Sequence, residues 1–254
     1  MEPGRKGGER MSGHSKWNNI KRRKEKTDTQ RAKVFTKMGR EIAVAVKEGG
    51  ADPANNGKLR DVIAKAKAAN VPAENIDRIV KKALGADKTD YEDIVYEGYG
   101  PGGVAVMVES LTDNRNRTAA DMRHFFDKYG GNLGTSGCVS FMFSHKGVIV
   151  IDLQDLDADA VMEDAIDAGA EDISIEEDLA EIITAPADLH DVREALEAKK
   201  YTFISADLAY IPSTHVRLEG ADYLKKMATL IEMLEDSDDV QNVWHNLDNE
   251  EDLP

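Results

Sequence analysis

The first third of the chain repeats its apolar residues at helical spacing in three successive segments. In the first segment they follow one another at steps of three and four residues, and Gly49 and Gly50 end the pattern. These apolar residues are Phe35, Met38, Ile42 and Val46. The second segment opens after Pro53 and ends near Asn70, and the third runs from Pro72 to Gly85. The pattern predicts three amphipathic helices that pack into a small bundle.

From residue 91 the pattern becomes mixed, with short alternating or β-branched runs between turn residues. Strands are predicted at 91–97, 104–111 and 138–143, with a helix at 113–129 and a glycine-rich turn at 130–137. Residues 147–212 then read strand, helix, strand, strand, helix, strand, which is the split βαβ or ferredoxin-like order. A last strand–helix–strand segment, from Val216 to about 247, is too short to fold alone.

The economical arrangement is that this last segment completes the domain that begins near residue 91. The predicted fold class is therefore α+β with three domains: a three-helix bundle, a discontinuous α+β domain and an inserted ferredoxin-like βαββαβ domain. The predicted boundaries are a flexible extension at 1–12, the basic helical domain at 13–86, the α+β domain at 87–146 and 213–254, and the insertion at 147–212.

Composition narrows the class of protein. The 254 residues carry a formal net charge of −15, and no stretch approaches 18 uninterrupted apolar residues. The N-terminal residues have charge but no apolar signal core, so we expect a cytoplasmic protein without a membrane partner. The single cysteine, Cys138, has no partner for an internal disulfide, and we expect a small buried residue in an apolar strand.

The charge is distributed very unevenly. Residues 1–90 contain 22 Lys and Arg against 12 acids, a net of +10, whereas residues 91–254 have a net of −25. Such a division indicates a basic module joined to an acidic body, and a basic block is the usual electrostatic signature of a nucleic-acid partner. Self-association or domain closure, in which the acidic body itself is the partner, is the competing interpretation.

The densest part of the basic block lies between positions 11 and 40, where ten cations face two acids. Phosphates favour this density because each contact releases condensed counterions. A solvated basic helix face is the alternative. His14 and Trp17 are predicted to position or stack on the nucleic acid. The predicted phosphate contacts are Lys16, Lys21, Arg22, Arg23, Lys24, Lys26, Lys33, Lys37 and Arg40.

A second, smaller candidate is the pair Arg115 and Arg117 at the start of the helix predicted at 113–129. Cations oppose the helix dipole at an N-terminus, so another reason for their presence is expected. Phosphate contact and an internal salt bridge to the acidic body are both open. Asp113 or Thr112 is the expected N-cap.

The sequence motifs that resemble catalytic or ligand-binding signatures lack the structural context that such sites require. Gly98, Gly100 and Gly103 match G-x-G-x-x-G, but a strand rather than a helix follows. The acids from Asp155 onward resemble a calcium loop that lacks its glycine and its final glutamate. The histidines show no paired metal-ligand spacing. We therefore expect no cofactor, no metal and no enzymatic activity. An unrecognised enzyme is the remote alternative, with its cleft where the loops 98–103 and 130–137 meet.

Several motifs carry a resemblance to a known family. They are GHSKWNNIK at 13–21, AKAANVP at 66–72, YEGYGPGGVAVMVE at 96–109, TDNRNRT at 112–118 and GGNLGTSGCVSFMF at 130–143. In this order they resemble the YebC/PmpR family. The resemblance implies three domains, with the last inserted in the second, and a cytoplasmic gene-expression factor.

The resemblance leaves two targets open. One group of relatives is described as DNA-binding transcriptional regulators. The other, which includes the mitochondrial translational activator of cytochrome c oxidase, is described as ribosome-associated factors that assist synthesis through proline runs. We take a nucleic-acid-binding transcriptional regulator as the first hypothesis and a translation factor on ribosomal RNA as the alternative. A protein partner or self-association through the acidic domains is a further expectation.

Overall fold

The structure is a computed structural model that describes residues 28–85, 89–176 and 178–254, with side chains in the first helix from residue 32. The described residues form two compact units. The smaller spans 143–213, and the larger combines 28–142 with 214–254. The fold is α+β: a region of three helices precedes two four-stranded antiparallel sheets.

The three predicted helices are confirmed. They are α1 (Asp28–Gly49), α2 (Gly57–Ala68) and α3 (Ala73–Leu84). Their apolar faces share one core, in which Ile42, Leu59 and Ile76 are buried. Because the apolar residues within each helix repeat every three or four positions, each helix buries one apolar stripe and leaves its polar positions on the outside.

Helix α2 begins four residues later than Pro53, at Gly57, because Asn56 forms its N-cap. The Asn56 side chain accepts a hydrogen bond from the Leu59 N–H at 3.0 Å. Its amide nitrogen also donates to the Ala45 and Gly50 carbonyls, both at 2.7 Å. A single buried side chain therefore starts α2 and joins it to the end of α1.

The larger unit contains the first sheet, whose strands are β1 (Glu92–Tyr99), β2 (Ala105–Thr112), β3 (Asn132–Leu133) and β8 (Val240–His245) in the order β3-β1-β2-β8. Helices α4 (Arg115–Lys128) and α7 (Ala221–Asp236) pack on one face. Their core is apolar and includes Val106, Val108, Phe126 and Leu230. Alternate residues of β2 supply it because side chains on a strand point to opposite faces.

The smaller unit contains the second sheet. Its elements follow in the order β4 (Phe143–Asp152), α5 (Ala158–Asp167), β5 (Asp172–Glu176), β6 (Leu179–Thr184), α6 (Leu189–Ala198) and β7 (Phe203–Pro212). The strand order is β5-β6-β4-β7, with each neighbouring pair antiparallel. Helices α5 and α6 bury Val161 and Leu196 against Ile149 and Ile182 of the sheet.

Two predicted strands are wrong. Residues 138–142 form a turn and a short 3₁₀ segment, Ser140–Met142, and β4 begins only at Phe143. Backbone N–H groups that a strand would pair are taken by the Glu97 carboxylate, which accepts from Gly137, Val139 and Ser140 at 2.8–2.9 Å. Cys138 is consequently half-buried in a turn rather than buried in a strand. Near Val216 there is one isolated bridge, to Leu247.

The close approach of β1 and β3 gives a stability prediction. A Cβ at Gly98 would lie 2.6 Å from the Asn132 carbonyl oxygen and 2.8 Å from the Phe126 ring. Because the Asn132 carbonyl belongs to the paired backbone of β3, it cannot move away easily. We expect Gly98→Ala to lower the free energy of unfolding by about 1–3 kcal/mol, measured by urea denaturation. Gly57→Ala is the control, because its Cβ meets only the tip of Arg60, at 3.9 Å. Equal stability of the two variants would contradict the prediction.

Candidate nucleic-acid interface

The predicted site residues fall into two groups. Eight lie outside the described residues, so their part in binding stays a prediction: His14, Lys16, Trp17, Lys21, Arg22, Arg23, Lys24 and Lys26. The other five lie on two helices of the larger unit. Lys33, Lys37 and Arg40 are on α1, and Arg115 and Arg117 are in the first turn of α4.

The three α1 cations form one stripe and reach the C-terminal end of α7. Lys33 Nζ lies 2.8 Å from an Asp236 carboxylate oxygen, and Lys37 Nζ donates to the Glu235 carbonyl at 2.6 Å. Arg40 donates to the Leu111 carbonyl at 2.9 Å and to Asp239 Oδ1 at 2.5 Å. Spacings of four and three residues place all three side chains on the same face of α1.

The C-terminal end of a helix suits this contact. Its last carbonyls have no partner within the helix, and its macrodipole end is negative, so cations are stabilised there. Asp236 and Asp239 add two carboxylates to the same end. Lys33, Lys37 and Arg40 therefore have acceptors within the chain, which corresponds to the acidic-body alternative. Whether they also contact phosphate stays a prediction.

Asp239 is the centre of the arrangement. It lies in the turn between α7 and β8, is 5% exposed, and accepts hydrogen bonds from four side chains. They are Arg40 at 2.5 Å, Thr118 at 2.7 Å, Arg117 at 2.9 Å and Thr112 at 3.2 Å. We call these five residues the Asp239 cluster. The backbone carbonyl of Asp239 also accepts a hydrogen bond from the Leu111 N–H at 2.7 Å, which fixes the turn between α7 and β8.

These contacts shift the pKa values of Asp239 and Arg117. Burial of Asp239 raises its pKa, but hydrogen bonds from Thr118, Arg40 and Arg117 outweigh burial and lower the pKa to about 2. The hydrogen bond to Asp239, with a second to Asp113, raises the pKa of Arg117 above its usual value. The carboxylate is thus held as an anion between two guanidinium groups.

The two arginines at the start of α4 differ in their surroundings. Asn114, rather than Asp113 or Thr112, caps the helix, since its side chain accepts from the Arg117 N–H at 3.1 Å. Arg117 pairs with Asp113 and Asp239 and keeps 46% of its side chain exposed. The Arg115 side chain is exposed. The internal salt bridge that the sequence left open is therefore present for Arg117.

Sequence reasoning did not single out the exposed cations of α2 and α3. Lys67 lies in the last turn of α2, and Arg78, Lys81 and Lys82 share one face of α3. Each of these four residues is exposed, and Arg78 donates to the Asn75 side chain at 3.1 Å. Their position outside the apolar stripe of each helix could have identified them. The higher density of cations before residue 40 drew the prediction to that segment instead.

The glycine loops that marked the remote enzyme alternative do meet, through the pairing of Gly98 with Leu133. Burial raises the pKa of Glu97, but the three backbone N–H donors outweigh it and lower the pKa. Burial and the Glu97 charge raise the pKa of the Cys138 thiol. A carboxylate that is saturated with backbone donors and a thiol kept protonated hold a loop rather than activate a nucleophile.

A metal site and a membrane-spanning helix are two further features that the described ranges could contain. No group of three or more His, Cys, Asp or Glu side chains there has an arrangement that could hold a metal ion. Among the same residues, no helix combines the length and the apolarity that crossing a bilayer requires.

Comparison with known proteins adds the family. The model described as "TACO1/YebC protein N-terminal domain" matches residues 15–86, and the model described as "TACO1/YebC second and third domain" matches residues 91–247. The chain belongs to the TACO1/YebC family. The resemblance of its sequence motifs to this family is confirmed.

Curated members of the TACO1/YebC family are similar over nearly their whole length. A protein of Acetivibrio thermocellus is 59% identical over 238 residues, 93% of this chain and 98% of its own. One of Caldicellulosiruptor saccharolyticus is 59% identical over 243 residues, 95% of this chain and 100% of its own. Both are named "Probable transcriptional regulatory protein".

A solved structure supports the architecture of this TACO1/YebC chain. The crystal structure of a conserved hypothetical protein, Aq1575 from Aquifex aeolicus, is 43% identical, with a TM-score of 0.79. The match covers 88% of this chain and 92% of that one. The α+β fold with three helices and two antiparallel sheets therefore has a crystallographic counterpart.

The Asp239 cluster gives a pH prediction. Because the folded-state pKa of Asp239 is about 2, below the ordinary 3.8, its ionised form stabilises the fold above about pH 4. That contribution, about 2 kcal/mol, is lost as the pH falls from 4 to 2. We expect Asp239→Asn to be less stable than the native protein at pH 6, with the difference shrinking toward pH 2, in urea unfolding.

Exposed Asp155 provides the control, since Asp155→Asn removes the same charge far from the cluster in sequence. A stability difference for Asp239→Asn that stays constant from pH 6 to pH 2 would show that its carboxylate charge is not what stabilises the fold.

Proposed function

We propose that this protein is a nucleic-acid-binding gene-expression factor, in the first instance a DNA-binding transcriptional regulator of the cytoplasm. The observation that carries the proposal is the division of charge: +10 in residues 1–90 and −25 in residues 91–254. The names of the similar curated proteins agree with it in kind. The basic part would bind the phosphate backbone, and repulsion would keep the acidic part away from it.

The physical basis is counterion release. Each phosphate that a Lys or Arg neutralises makes log K fall by about 0.9 per decade of salt on duplex and by about 0.7 on single strands. The segment before residue 27, with Lys16, Lys21, Arg22, Arg23, Lys24 and Lys26, would supply most of these contacts. Exposed Lys67, Lys81 and Lys82 on the described helices would add further phosphate contacts.

The proposal includes a division of labour among domains. We assign binding to a basic helical domain at 13–86 and structural support to the α+β domain at 87–146 and 213–254. Residues 147–212 would be an inserted ferredoxin-like domain, for which the observed strand order β5-β6-β4-β7 is the support. The acidic domains are the expected surface for a protein partner or self-association.

One observation favours the second candidate, a translation factor on ribosomal RNA, because that candidate does not require a helix that reads bases in a DNA groove. Helices α2 and α3 are joined by the short turn 69–72, as in a helix-turn-helix. A reader of that type places the N-terminal residues of its second helix against base edges. In α3 that end carries Glu74 and Asp77, whose charges oppose entry into a groove lined by phosphates. Contact through the phosphate backbone, common to DNA and RNA, fits this helix better.

Charge reversal tests the property that both candidates share. We expect the triple variant Arg22→Glu, Arg23→Glu and Lys24→Glu to bind a fluorescent DNA duplex and a ribosomal RNA fragment at least tenfold more weakly at 150 mM salt. Three lost contacts should also reduce the salt slope by about 2–3. Fluorescence anisotropy over a salt series measures both quantities.

The matched control reverses three exposed cations of the acidic part, Arg123, Lys128 and Lys225. It changes the net charge equally and should bind much more tightly than the first variant. Equal affinities of the two triple variants would overturn the proposal. Selection of one promoter duplex over scrambled DNA would support the regulator, and cosedimentation with the large ribosomal subunit without such selection would support the translation factor.

A further inference from the structure

Helix α1 is joined to the α+β part of the larger unit by charged and polar contacts. The apolar core of the three helices and the apolar core of the first sheet share no residue. Between them, α1 places Lys33, Lys37 and Arg40 on the end of α7, and Lys47 donates to the Thr89 carbonyl. A junction made of ion pairs and hydrogen bonds is weakened by salt and by competing ions, unlike an apolar one.

We call the three contacts at the end of α7 the α1–α7 seam: Lys33 with Asp236, Lys37 with the Glu235 carbonyl, and Arg40 with Asp239. The seam becomes more buried along α1. The Lys33 and Asp236 side chains are 31% and 48% exposed, whereas those of Arg40 and Asp239 are 15% and 7% exposed. An anion from solvent can therefore reach the Lys33 pair first.

Within the seam, the cations contact groups that resemble a phosphate. Carboxylate oxygens of Asp236 and Asp239 accept the same charge-assisted hydrogen bonds that phosphate oxygens accept. An exposed ion pair contributes little to stability. A polyanion that already binds the neighbouring basic segment would present further phosphates to Lys33 at a high effective concentration.

We propose that the α1–α7 seam is an autoinhibitory contact, in which Asp236 and Asp239 compete with nucleic-acid phosphates for Lys33, Lys37 and Arg40. The inference rests on the proposed function. Nucleic acid displaces the seam from its exposed end, so binding is coupled to the release of α1 from the end of α7. The carboxylates lower the affinity for any polyanion and favour ligands that supply several phosphates together.

The first test removes the competing charge at the exposed end of the seam. We expect Asp236→Asn to bind a 20-nucleotide probe of ribosomal RNA about two- to fivefold more tightly, the range that an exposed ion pair represents, with a steeper salt slope. Glu219→Gln is the matched control: it removes one exposed charge next to the N-terminus of α7, a helix length of about 24 Å from the seam. Equal affinity of the two variants would overturn the inference.

The second test observes the seam directly in the native protein. A carbodiimide joins an amine and a carboxylate that are in contact, so Lys33 and Asp236, 2.8 Å apart, should give a cross-linked peptide in mass spectrometry. We expect its yield to fall as the RNA probe is added, with a midpoint at the dissociation constant. Lys146 and Glu171, 2.6 Å apart in the smaller unit, form the internal control whose yield should stay constant.

The outcomes separate the two proposals. Probe binding with an unchanged Lys33–Asp236 yield would overturn the seam inference and leave the proposed function standing. A native protein that binds neither DNA nor RNA would instead remove the proposed function.

Discussion

The ionised Asp239 carboxylate is the interaction on which the larger unit depends. It connects side chains that are far apart in sequence: Arg40 from α1, Thr112 at the end of β2, and Arg117 and Thr118 from α4. A buried carboxylate without donors would be strongly destabilising, and Thr112, Arg117 and Thr118 would still donate to it if α1 moved away. Because the donors come from α1, from the end of β2 and from the start of α4, the cluster fixes how α1, α4 and the turn before β8 meet.

The same interaction explains why the helical region can be basic and still remain attached to an acidic body. Apolar packing stabilises the three helices internally and the sheet internally, through two cores that share no residue. Opposite charge then supplies the connection through the α1–α7 seam. A connection of this kind can open without separating either apolar core, which would suit the proposed binding of a polyanion. In the proposed function, stability and binding would therefore draw on the same side chains.

Patterns within one element were predictable from the sequence, and contacts between distant elements were not. The helices α1, α2 and α3 follow from local apolar periodicity, because each must bury one stripe. The predicted strand at 138–143 failed because a carboxylate about 40 residues earlier, on Glu97, takes its N–H groups. The cations Lys33 and Arg40 were recognisable as basic, but their acidic partners lie about 200 residues further along the chain. Counting charge within a window cannot identify such pairs.

A charge division that would attract a polyanion also attracts the protein's own acidic part. A tethered carboxylate acts at an effective concentration that a free ligand must exceed, so an internal competitor is inherent in a chain with +10 at one end and −25 over the rest. What can differ between such chains is the place on the structure where the internal carboxylates compete. Placing it at the C-terminal end of α7, where carbonyls and Asp236 already favour cations, confines it to one defined surface. The exposed cations of α2 and α3, such as Lys67 and Lys81, then stay available for the proposed external partner.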